Sequence, residues 1–362
     1  MTEASAGGEE LQLRRFLMPG LFVLALFVVL WMRRPAPEVP HWRFSGNAFG
    51  TLFAVQVLPD AQGEDREGQE KLAQAISACI DRVNAHMSTY QADSELSKLN
   101  ASPSLLKSKL SEDLSVVLGE ALRINALSGG AFDVTIGPVV NAWGFGPDIV
   151  KPPTEETLRS AKAKTGSSKL TLNQEGLWLT RAQAGLYIDL SAIAKGYAVD
   201  LIGEAMEQAG HTNYLVEVGG EVRARGLKGN GQPWSVGIEQ PDGGQQDVAE
   251  SLSLRDLSIA TSGNYRNLRT LDGKTVTHII DARTGQPVSH ALGSVSVLHP
   301  SCMSADALAT ALYVLGVKEG LALAERENIA ALFLSPANGA TPSSRQASSA
   351  FTRLNNVKAD SQ

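Results

Sequence analysis

The sequence predicts an α+β fold in which mixed sheets pack with helices. Segments with the alternating pattern of strands and segments with apolar residues at helical spacing follow one another in mixed runs, not in strict alternation. A chain of 362 residues with 43% hydrophobic and 19% charged residues is typical of a packed globule. We therefore expect a folded domain over residues 42–362 and no doubly wound parallel sheet.

The N-terminal region carries a membrane signal. Residues 16–32 are an uncharged run of 17 residues between the pairs Arg14-Arg15 and Arg33-Arg34. As a helix, this run spans about 25 Å, the short end of what crosses a bilayer. We predict a cytoplasmic tail over residues 1–15, a single transmembrane anchor or uncleaved signal over 16–32, and a stiff proline-containing linker over 33–41.

The remaining elements follow from periodicity. A strand begins near Phe49, and a helix with apolar residues at helical spacing ends near Met87. A second helix covers about Glu112 to Leu127 and ends at Gly129-Gly130. Further strands are expected over 168–190, 214–218, 221–239, 257–261, 276–281 and 292–298, and further helices near 192–208, 304–315 and 317–327. Residues 337–350 are predicted to form a loop before a last short strand.

Composition excludes several classes of function. The formal net charge of −6 gives no electrostatic footprint for DNA or RNA, so nucleic acid is not an expected partner. Cys79 and Cys302 are too few for a disulfide scaffold or a Cys-rich metal site, and they are either buried free thiols or one bridge. The histidines lack the HExxH spacing of a zinc protease, and neither GxxxxGK[ST] nor GxGxxG occurs.

Polar residues at the ends of predicted elements could hold a ligand. Asp306 and Thr310 lie four residues apart on one helix face. They form either a solvated helix edge or a cation site, because an unpaired buried carboxylate is costly. Asp189 precedes a helix and either caps it or binds a ligand. In the second case Lys195 would lie near the helix N-terminus, where anions such as phosphate bind.

The polar clusters, taken in chain order, resemble the ApbE family, the FAD:protein FMN transferases. They read MSTYQADSELSKLN (87–100), GGAFDVTIGP (129–138), IDLSAIAKGYAVD (188–200), VEVGGEVRARG (216–226), IATSGNYRN (259–267), THIIDARTGQPV (277–288) and SADALATALYVLG (304–316). The resemblance covers about residues 44–355. It implies a T-fold-like α+β architecture, FAD in a cleft and assistance by Mg²⁺. Family members cut the FAD pyrophosphate, attach FMN by a phosphodiester bond to a threonine or serine of a partner, and release AMP.

The resemblance also implies the site residues. FAD contacts would come from Tyr90, Ala131, Phe132, Asp133, Asp189, Lys195 and Ile280. The magnesium ligands would be the Ala192 carbonyl and the side chains of Asp306 and Thr310. One stretch departs from the family, since Ala48-Phe49-Gly50-Thr51 replaces the usual Ala-Met-Gly-Thr. A flavin contact normally made by methionine is therefore either missing or made by Phe49.

The attacking hydroxyl group needs a general base, because its pKa lies far above 7. His278 is the candidate, with Asp281 to orient it, and a purely structural strand-end histidine is the alternative. We predict a membrane-anchored, Mg²⁺-dependent FMN transferase of the inner membrane, with its globular domain on the periplasmic side. Its acceptor would be an electron-transfer subunit with an FMN-binding domain. Two alternatives stay open, an FAD pyrophosphatase giving FMN and AMP, and a non-catalytic flavin-binding protein.

Overall fold

The computed structural model describes residues 41–59, 66–102, 107–145, 153–241, 247–263, 268–271, 274–337 and 343–359. The predicted tail and anchor, and the linker up to residue 40, lie outside these residues. Within the described part, one helix, Cys302–Arg326, is long and apolar enough to cross a membrane. Because 61% of its apolar window is buried inside the protein, it has the character of a core helix.

An antiparallel sheet of eight strands forms the centre of the fold, in the order β1-β2-β6-β7-β10-β15-β16-β17. Every neighbouring pair in it is antiparallel. Its strands are β1 (Trp42–Ala48), β2 (Thr51–Val57), β6 (Tyr214–Val218), β7 (Glu221–Arg225), β10 (Leu257–Gly263), β15 (Ser294–His299), β16 (Ala330–Ser335) and β17 (Ser344–Ala347). The predicted α+β class is confirmed by this arrangement.

Smaller sheets surround the central one. A three-stranded sheet has the order β3-β5-β4, and three two-stranded sheets pair β8 with β9, β11 with β12, and β13 with β14. Their bounds are β3 (Ser108–Lys109), β4 (Leu170–Asn173), β5 (Trp178–Arg181), β8 (Trp234–Glu239), β9 (Val248–Leu254), β11 (Leu268–Leu271), β12 (Lys274–Thr277), β13 (Ile280–Asp281) and β14 (Gln286–Pro287).

Side-chain caps define the starts of several helices. Ser94, Ser111, Thr154 and Ser301 each accept a hydrogen bond from an amide three residues further on, which satisfies a donor in the first turn. The helices are α1 (Arg66–Met87), α2 (Glu95–Ala101), α3 (Glu112–Leu127), α4 (Gly137–Ala142), α5 (Glu155–Ala163), α6 (Ala194–Gln208), α7 (Cys302–Arg326) and α8 (Ser349–Ala359).

The central sheet is covered on both faces. Successive side chains of a strand point to opposite faces, so Ala331 and Phe333 pack with α3, α6 and α7 in the main core. Leu332 and Leu334 lie in a second cluster with residues of β8, β9 and α8. A third cluster joins β1, β2 and β6 to α1 and α6. Helices α6 and α7 therefore lie against one face of the sheet. Lys195 of α6 and Asp306 and Thr310 of α7 are placed beside that sheet.

The structure changes several predicted boundaries. The strand expected from Phe49 is β2 and begins only at Thr51, because Phe49 and Gly50 form the β1–β2 turn with φ of 52° and 75°. The two helices expected at 304–315 and 317–327 are confirmed, because the backbone of α7 is non-helical at Gly316, whose φ is 70° and ψ is 180°. Strand β16 was not predicted, and the loop expected over 337–350 contains strand β17. The last short strand expected after that loop is wrong, because helix α8 begins at Ser349. Both cysteines are free thiols, as one of the two alternatives stated.

Candidate active site

A cleft of about 940 Å³ opens beside the central sheet and reaches the first half of α7. This volume lies at the upper end of the range for small-molecule sites, about 300–1,000 Å³. It is lined by the expected FAD contacts, metal ligands and general base, namely Tyr90, Ala131, Phe132, Asp133, Asp189, Ala192, Lys195, His278, Ile280, Asp306 and Thr310, whereas Asp281 does not line it. Segments separated by more than 200 residues in sequence thus meet in one cavity.

Tyr90 stands at the mouth of the cleft. Its side chain is 88% exposed, so core packing does not account for its position. The turn that carries it is held by the Ser88 hydroxyl, which accepts hydrogen bonds from the amides of Tyr90 and Gln91 at 3.1 Å. The ring is consequently presented by a fixed turn and is free to stack on a planar ligand.

The 131–135 segment forms one wall. Phe132 is only 3% exposed and belongs to the main core, so its ring is not available for stacking. The Asp133 carboxylate accepts hydrogen bonds from Thr135 N and Oγ1 and from Ser167 N and Oγ, at 2.6–3.0 Å. Three of these bonds reach Oδ1 and one reaches Oδ2, so the carboxylate mainly fixes the 133–135 and 166–167 backbone and keeps acceptor capacity only on Oδ2.

The segment before α6 leaves one carbonyl group outside the helical ladder. If the helix continued back to Ala192, the Gly196 amide would donate to the Ala192 carbonyl. The Gly196 amide instead donates to Asp306 Oδ2 at 3.0 Å. Helix α6 begins only after Ile193, whose φ of −150° is not helical. Asp189 is not the cap of this helix, and its Oδ1 accepts from the Ser191 amide at 2.9 Å.

Gly196 permits this arrangement because it lacks a side chain. A Cβ at this position would lie 2.4 Å from the Cys302 carbonyl oxygen and 2.8 Å from Met303 Cα. Both are backbone atoms of α7, so no side-chain rotation could relieve the contact. Glycine therefore allows α6 and α7 to approach until an amide of one reaches a carboxylate of the other.

Lys195 lies between two carboxylates on the floor of the cleft. Its Nζ is 3.1 Å from Glu221 Oε1 and 3.6 Å from Asp306 Oδ2. Burial by itself lowers the pKa of the Lys195 ammonium, but Asp306 and Glu221 outweigh burial and raise it. Burial raises the pKa of the Glu221 carboxyl to about 7, against the opposing effect of Lys195. Lys195 is thus a permanent positive charge in a site that holds two acidic groups.

Thr310 lies one turn after Asp306 on α7. Its hydroxyl is 2.9 Å from the hydroxyl of Ser262, at the end of β10. Both residues line the cleft. The i, i+4 spacing predicted from the sequence therefore places a carboxylate and a hydroxyl on the same face of a helix that borders the cavity.

His278 and Ile280 lie on the segment from β12 to β13. His278 is half-buried and makes an edge-on contact with Phe145, at 6.2 Å between ring centroids. Ile280 is buried in a small apolar cluster with Val139. The Asp281 carboxylate binds Arg283, with the Arg283 amide at 2.9 Å and Nε at 3.0 Å. These contacts give Asp281 a structural partner other than His278.

The donor set suits a hard divalent cation. Mg²⁺ is bound through few protein oxygens and keeps positions for water and phosphate. Asp306 retains Oδ1, Ala192 has a carbonyl outside the ladder, and Thr310 supplies a hydroxyl. Among the described residues, no group of three or more His, Cys, Asp or Glu side chains is placed to hold a metal. A cation held by these three groups would have Asp306 as its one carboxylate ligand and would leave positions for water or phosphate oxygens.

The sequence analysis missed Glu221, Ser262 and Gly196 as site residues. Glu221 follows the Gly219-Gly220 turn, where a Cβ on Gly219 would lie 2.6 Å from Thr51 Cγ2. A charged residue directly after two glycines, at the start of strand β7, was the available signal. Phe49, expected as a possible flavin contact, packs against the two helix-side cores and does not line the cleft, whereas Thr51 and Leu52 do.

Comparison with known proteins agrees with this geometry. The sequence pattern of the ApbE family matches residues 49–333. The chain belongs to the ApbE family. The resemblance seen in the sequence motifs is thereby confirmed, and the match includes every segment that lines the cleft.

ApbE relatives of known name cover almost the whole chain. A Haemophilus influenzae protein named FAD:protein FMN transferase is 41% identical over 343 residues, which is 93% of this chain and 98% of that protein. A Vibrio cholerae protein of the same name is 41% identical over 314 residues, 86% of this chain and 91% of that protein.

Solved ApbE structures have the same fold. The Flavin Transferase ApbE from Vibrio cholerae superposes with a TM-score of 0.79 at 39% identity, covering 88% of this chain and 99% of that chain. The apo form of Pseudomonas stutzeri flavinyl transferase ApbE gives a TM-score of 0.79 at 34% identity, covering 89% of this chain and 99% of that chain.

Proposed function

We propose that the cleft binds FAD with Mg²⁺ and transfers its FMN moiety to a threonine or serine hydroxyl of a partner protein. The observation that carries the proposal is the contact between the Gly196 amide and Asp306. This first-turn amide of α6 has no acceptor within the helix and donates to Asp306 Oδ2. The Ala192 carbonyl, which precedes the N-cap, lies outside the helical ladder in a cleft that also presents Thr310. The names of the relatives support flavin transfer as the activity.

The reaction is a displacement at phosphorus. The acceptor oxygen forms a bond to the phosphorus of the FMN half, the bond from that phosphorus to the bridging oxygen breaks, and AMP leaves with that oxygen. A bound Mg²⁺ would neutralise charge on the pyrophosphate and on the departing AMP. The half-buried Lys195 ammonium adds a positive charge at the floor of the cleft, beside Asp306.

His278 is proposed as the general base that accepts the proton of the acceptor hydroxyl. It lines the cleft and is half-buried, so a proton can pass from it to solvent after transfer. Tyr90 is proposed to stack on a ring of FAD, and the 131–133 backbone, Asp189 and Ile280 to line its binding surface. Leu52, 67% exposed at the rim, is then positioned to meet the acceptor protein.

We further propose that residues 16–32 anchor the chain in the inner membrane and that the catalytic domain works on the periplasmic side. The anchor is supported by the uncharged run of 17 residues between two arginine pairs. Because the arginine pairs are equal, they give no orientation, and the periplasmic side rests on the ApbE resemblance together with this N-terminal signal. The acceptor is proposed to be an electron-transfer subunit with an FMN-binding domain, because a covalently held flavin serves electron transfer.

One assay tests the proposed activity. The chain is incubated with FAD, Mg²⁺ and an acceptor domain, and the products are separated on a denaturing gel and by chromatography. We expect a flavin-fluorescent acceptor band and one AMP for each flavin attached. Free FMN and AMP without that band would instead identify a pyrophosphatase, and intact FAD a flavin carrier.

The matched variants are Asp306→Asn and Asp81→Asn. Asp81 is exposed on α1, away from the cleft, so the same substitution there should leave the fluorescent band unchanged. Asp306→Asn should remove it, because the amide oxygen is a weaker ligand for Mg²⁺ than a carboxylate. Equal activity of the two variants in excess FAD would refute the role of Asp306.

A further inference from the structure

Glu221 is a buried carboxylate that is only half satisfied. It is 4% exposed and lines the floor of the cleft. Its Oε1 lies 3.1 Å from Lys195 Nζ, whereas its Oε2 is buried without a hydrogen-bond partner among the described residues. A buried acceptor of this kind is costly unless a partner reaches it in some working state of the protein.

Lys195 is the nearest group that could become that partner. Its ammonium is shared unequally, at hydrogen-bond distance from Glu221 and at 3.6 Å from Asp306. A lysine side chain has several rotatable bonds and three donors, so a small rotation can redistribute its contacts. The ammonium is also a cation beside Asp306, and it competes for that carboxylate with any other cation.

We infer that Glu221 is the positioning residue that draws Lys195 away from Asp306 when a divalent cation binds there. The ammonium moves from its position between the two carboxylates and donates hydrogen bonds to both oxygens of Glu221. Oε2, which has no partner among the described residues before the cation binds, becomes the second acceptor. Glu221 thereby sets the cation affinity of Asp306 without touching the cation. This inference rests on the proposed function, since it takes Asp306 to be a cation ligand.

The inference makes the effect of Glu221 depend on Lys195. Without Glu221, Lys195 has only Asp306 as its counter-ion and blocks it. Without Lys195, nothing needs to be drawn away, and Glu221 should matter little to the cation. A direct cation ligand behaves differently, because its removal weakens binding whether or not Lys195 is present.

A double-mutant cycle with Mn²⁺ as the probe separates these cases. Free Mn²⁺ is followed by electron paramagnetic resonance during titration of the full chain, without FAD or acceptor. The variants are Glu221→Gln, Lys195→Met and the double variant. We expect Glu221→Gln to weaken Mn²⁺ binding by about tenfold in the wild-type background and by less than about threefold in the Lys195→Met background.

Equal losses of Mn²⁺ affinity in both backgrounds would overturn the inference and identify Glu221 as a direct ligand. No loss in either background would also overturn the inference, because Glu221 would then have no effect on the cation. Glu221→Asp keeps a carboxylate for the ammonium and should retain most of the affinity lost in Glu221→Gln. Thermal unfolding of each variant checks that it folds. If Glu221→Gln does not fold, Glu221→Asp is compared in the wild-type and Lys195→Met backgrounds. A loss of Mn²⁺ affinity that is the same in both backgrounds would then overturn the inference.

The Asp306→Asn variant separates this inference from the proposed function. If wild-type protein and Asp306→Asn bind Mn²⁺ equally or not at all, the proposed cation site fails, and the inference fails with it. If Asp306→Asn abolishes binding but the cycle is additive, the inference alone fails and the proposed function stands.

Discussion

Asp200 and Asp306 are both aspartates buried where α6 and α7 meet, yet their surroundings differ. Asp200 accepts hydrogen bonds from Arg223 Nη1, the Ser301 hydroxyl and the amides of Cys302 and Met303, all at 2.8–3.0 Å. Asp306 has the Gly196 amide at 3.0 Å and the Lys195 ammonium only at 3.6 Å. Asp200 thus accepts hydrogen bonds from the first amides of α7. Asp306, one turn further along the same helix, retains Oδ1 for a ligand.

This difference in hydrogen bonding shows how carboxylates at one helix can either stabilise the fold or remain available to a ligand. A fully hydrogen-bonded buried carboxylate at a helix N-terminus stabilises the helix and fixes its position. An incompletely bonded carboxylate stabilises little, but it is ready to bind a cation. The predictions below test this distinction between Asp200 and Asp306.

The largest effect on stability is expected for Asp200→Ala. Removing this carboxylate leaves the amides of Cys302 and Met303 without their acceptor. Arg223 then has only Glu207 as an acidic partner, so the total cost should be about 3 kcal/mol. Asp306→Ala removes one amide contact while Lys195 keeps Glu221, so its cost should stay near 1 kcal/mol. Chemical denaturation of both variants measures the two free energies of unfolding, and equal losses would contradict the distinction.

Gly196→Ala should have the next largest effect. Its Cβ would meet the backbone of α7 at 2.4 Å, so the helices must separate, at about 1–3 kcal/mol. The Gly196 amide would then leave Asp306, and Mn²⁺ affinity should fall. The matched control is Gly203→Ala on the same helix, whose Cβ meets the Tyr214 and Arg223 side chains at 2.8–2.9 Å. Side chains can shift, so a loss for Gly203→Ala as large as that for Gly196→Ala would argue against the backbone contact.

A smaller effect on stability is expected for Thr310→Val, which keeps the shape but removes the hydroxyl bonded to Ser262. The loss should be about 0.5–1.5 kcal/mol, since one neutral hydrogen bond disappears. Mn²⁺ affinity should fall as well, because the hydroxyl is a proposed ligand. Thr310→Ser is the control, because its hydroxyl can still bond to Ser262 and can still bind the cation. If Thr310→Val binds Mn²⁺ as tightly as Thr310→Ser does, Thr310 is not a ligand.

The smallest effect concerns acid stability at Asp113 on α3. Burial by itself raises the pKa of this carboxyl, but hydrogen bonds from Arg82 and Tyr197 outweigh burial and lower it. Because the folded pKa lies below the unfolded one, the stabilisation is present above the unfolded pKa and is lost as the pH falls through the folded pKa. Denaturation across pH should therefore show Asp113→Asn less stable than wild type near neutrality, with the difference vanishing in acid. A difference that persists unchanged in acid would contradict this assignment.

Much of the fold followed from local signals. Helix α3 has the predicted bounds, Glu112 to Leu127, because Ser111 caps its start and Gly129-Gly130, with φ of 60° and 83°, end it. The first strand, Trp42–Ala48, was missed although Trp42, Phe44 and Ala48 share the face that packs against a core cluster. Its centre, Ser45-Gly46-Asn47, has the composition of a turn. Helix α8 was missed because its serine- and alanine-rich start has the composition of a loop.

The site was predictable only in part. Asp306 and Thr310 share a helix, so their spacing in sequence already placed them on one face. Lys195 and Glu221 lie on different elements, and their ion pair depends on how α6 packs against β7. The contact of the Gly196 amide with Asp306 likewise depends on the approach of α7, which no local pattern encodes.

The most direct test of the central claim is the intact mass of the acceptor after incubation with FAD and Mg²⁺. The enzymes compared are wild type, Asp306→Asn and Asp200→Asn, each assayed at a temperature where its own unfolding curve shows it folded. We predict a gain of one FMN minus one water with wild type, the same gain with folded Asp200→Asn, and none with Asp306→Asn. A full gain with Asp306→Asn would contradict the claim that its free oxygen serves the reaction.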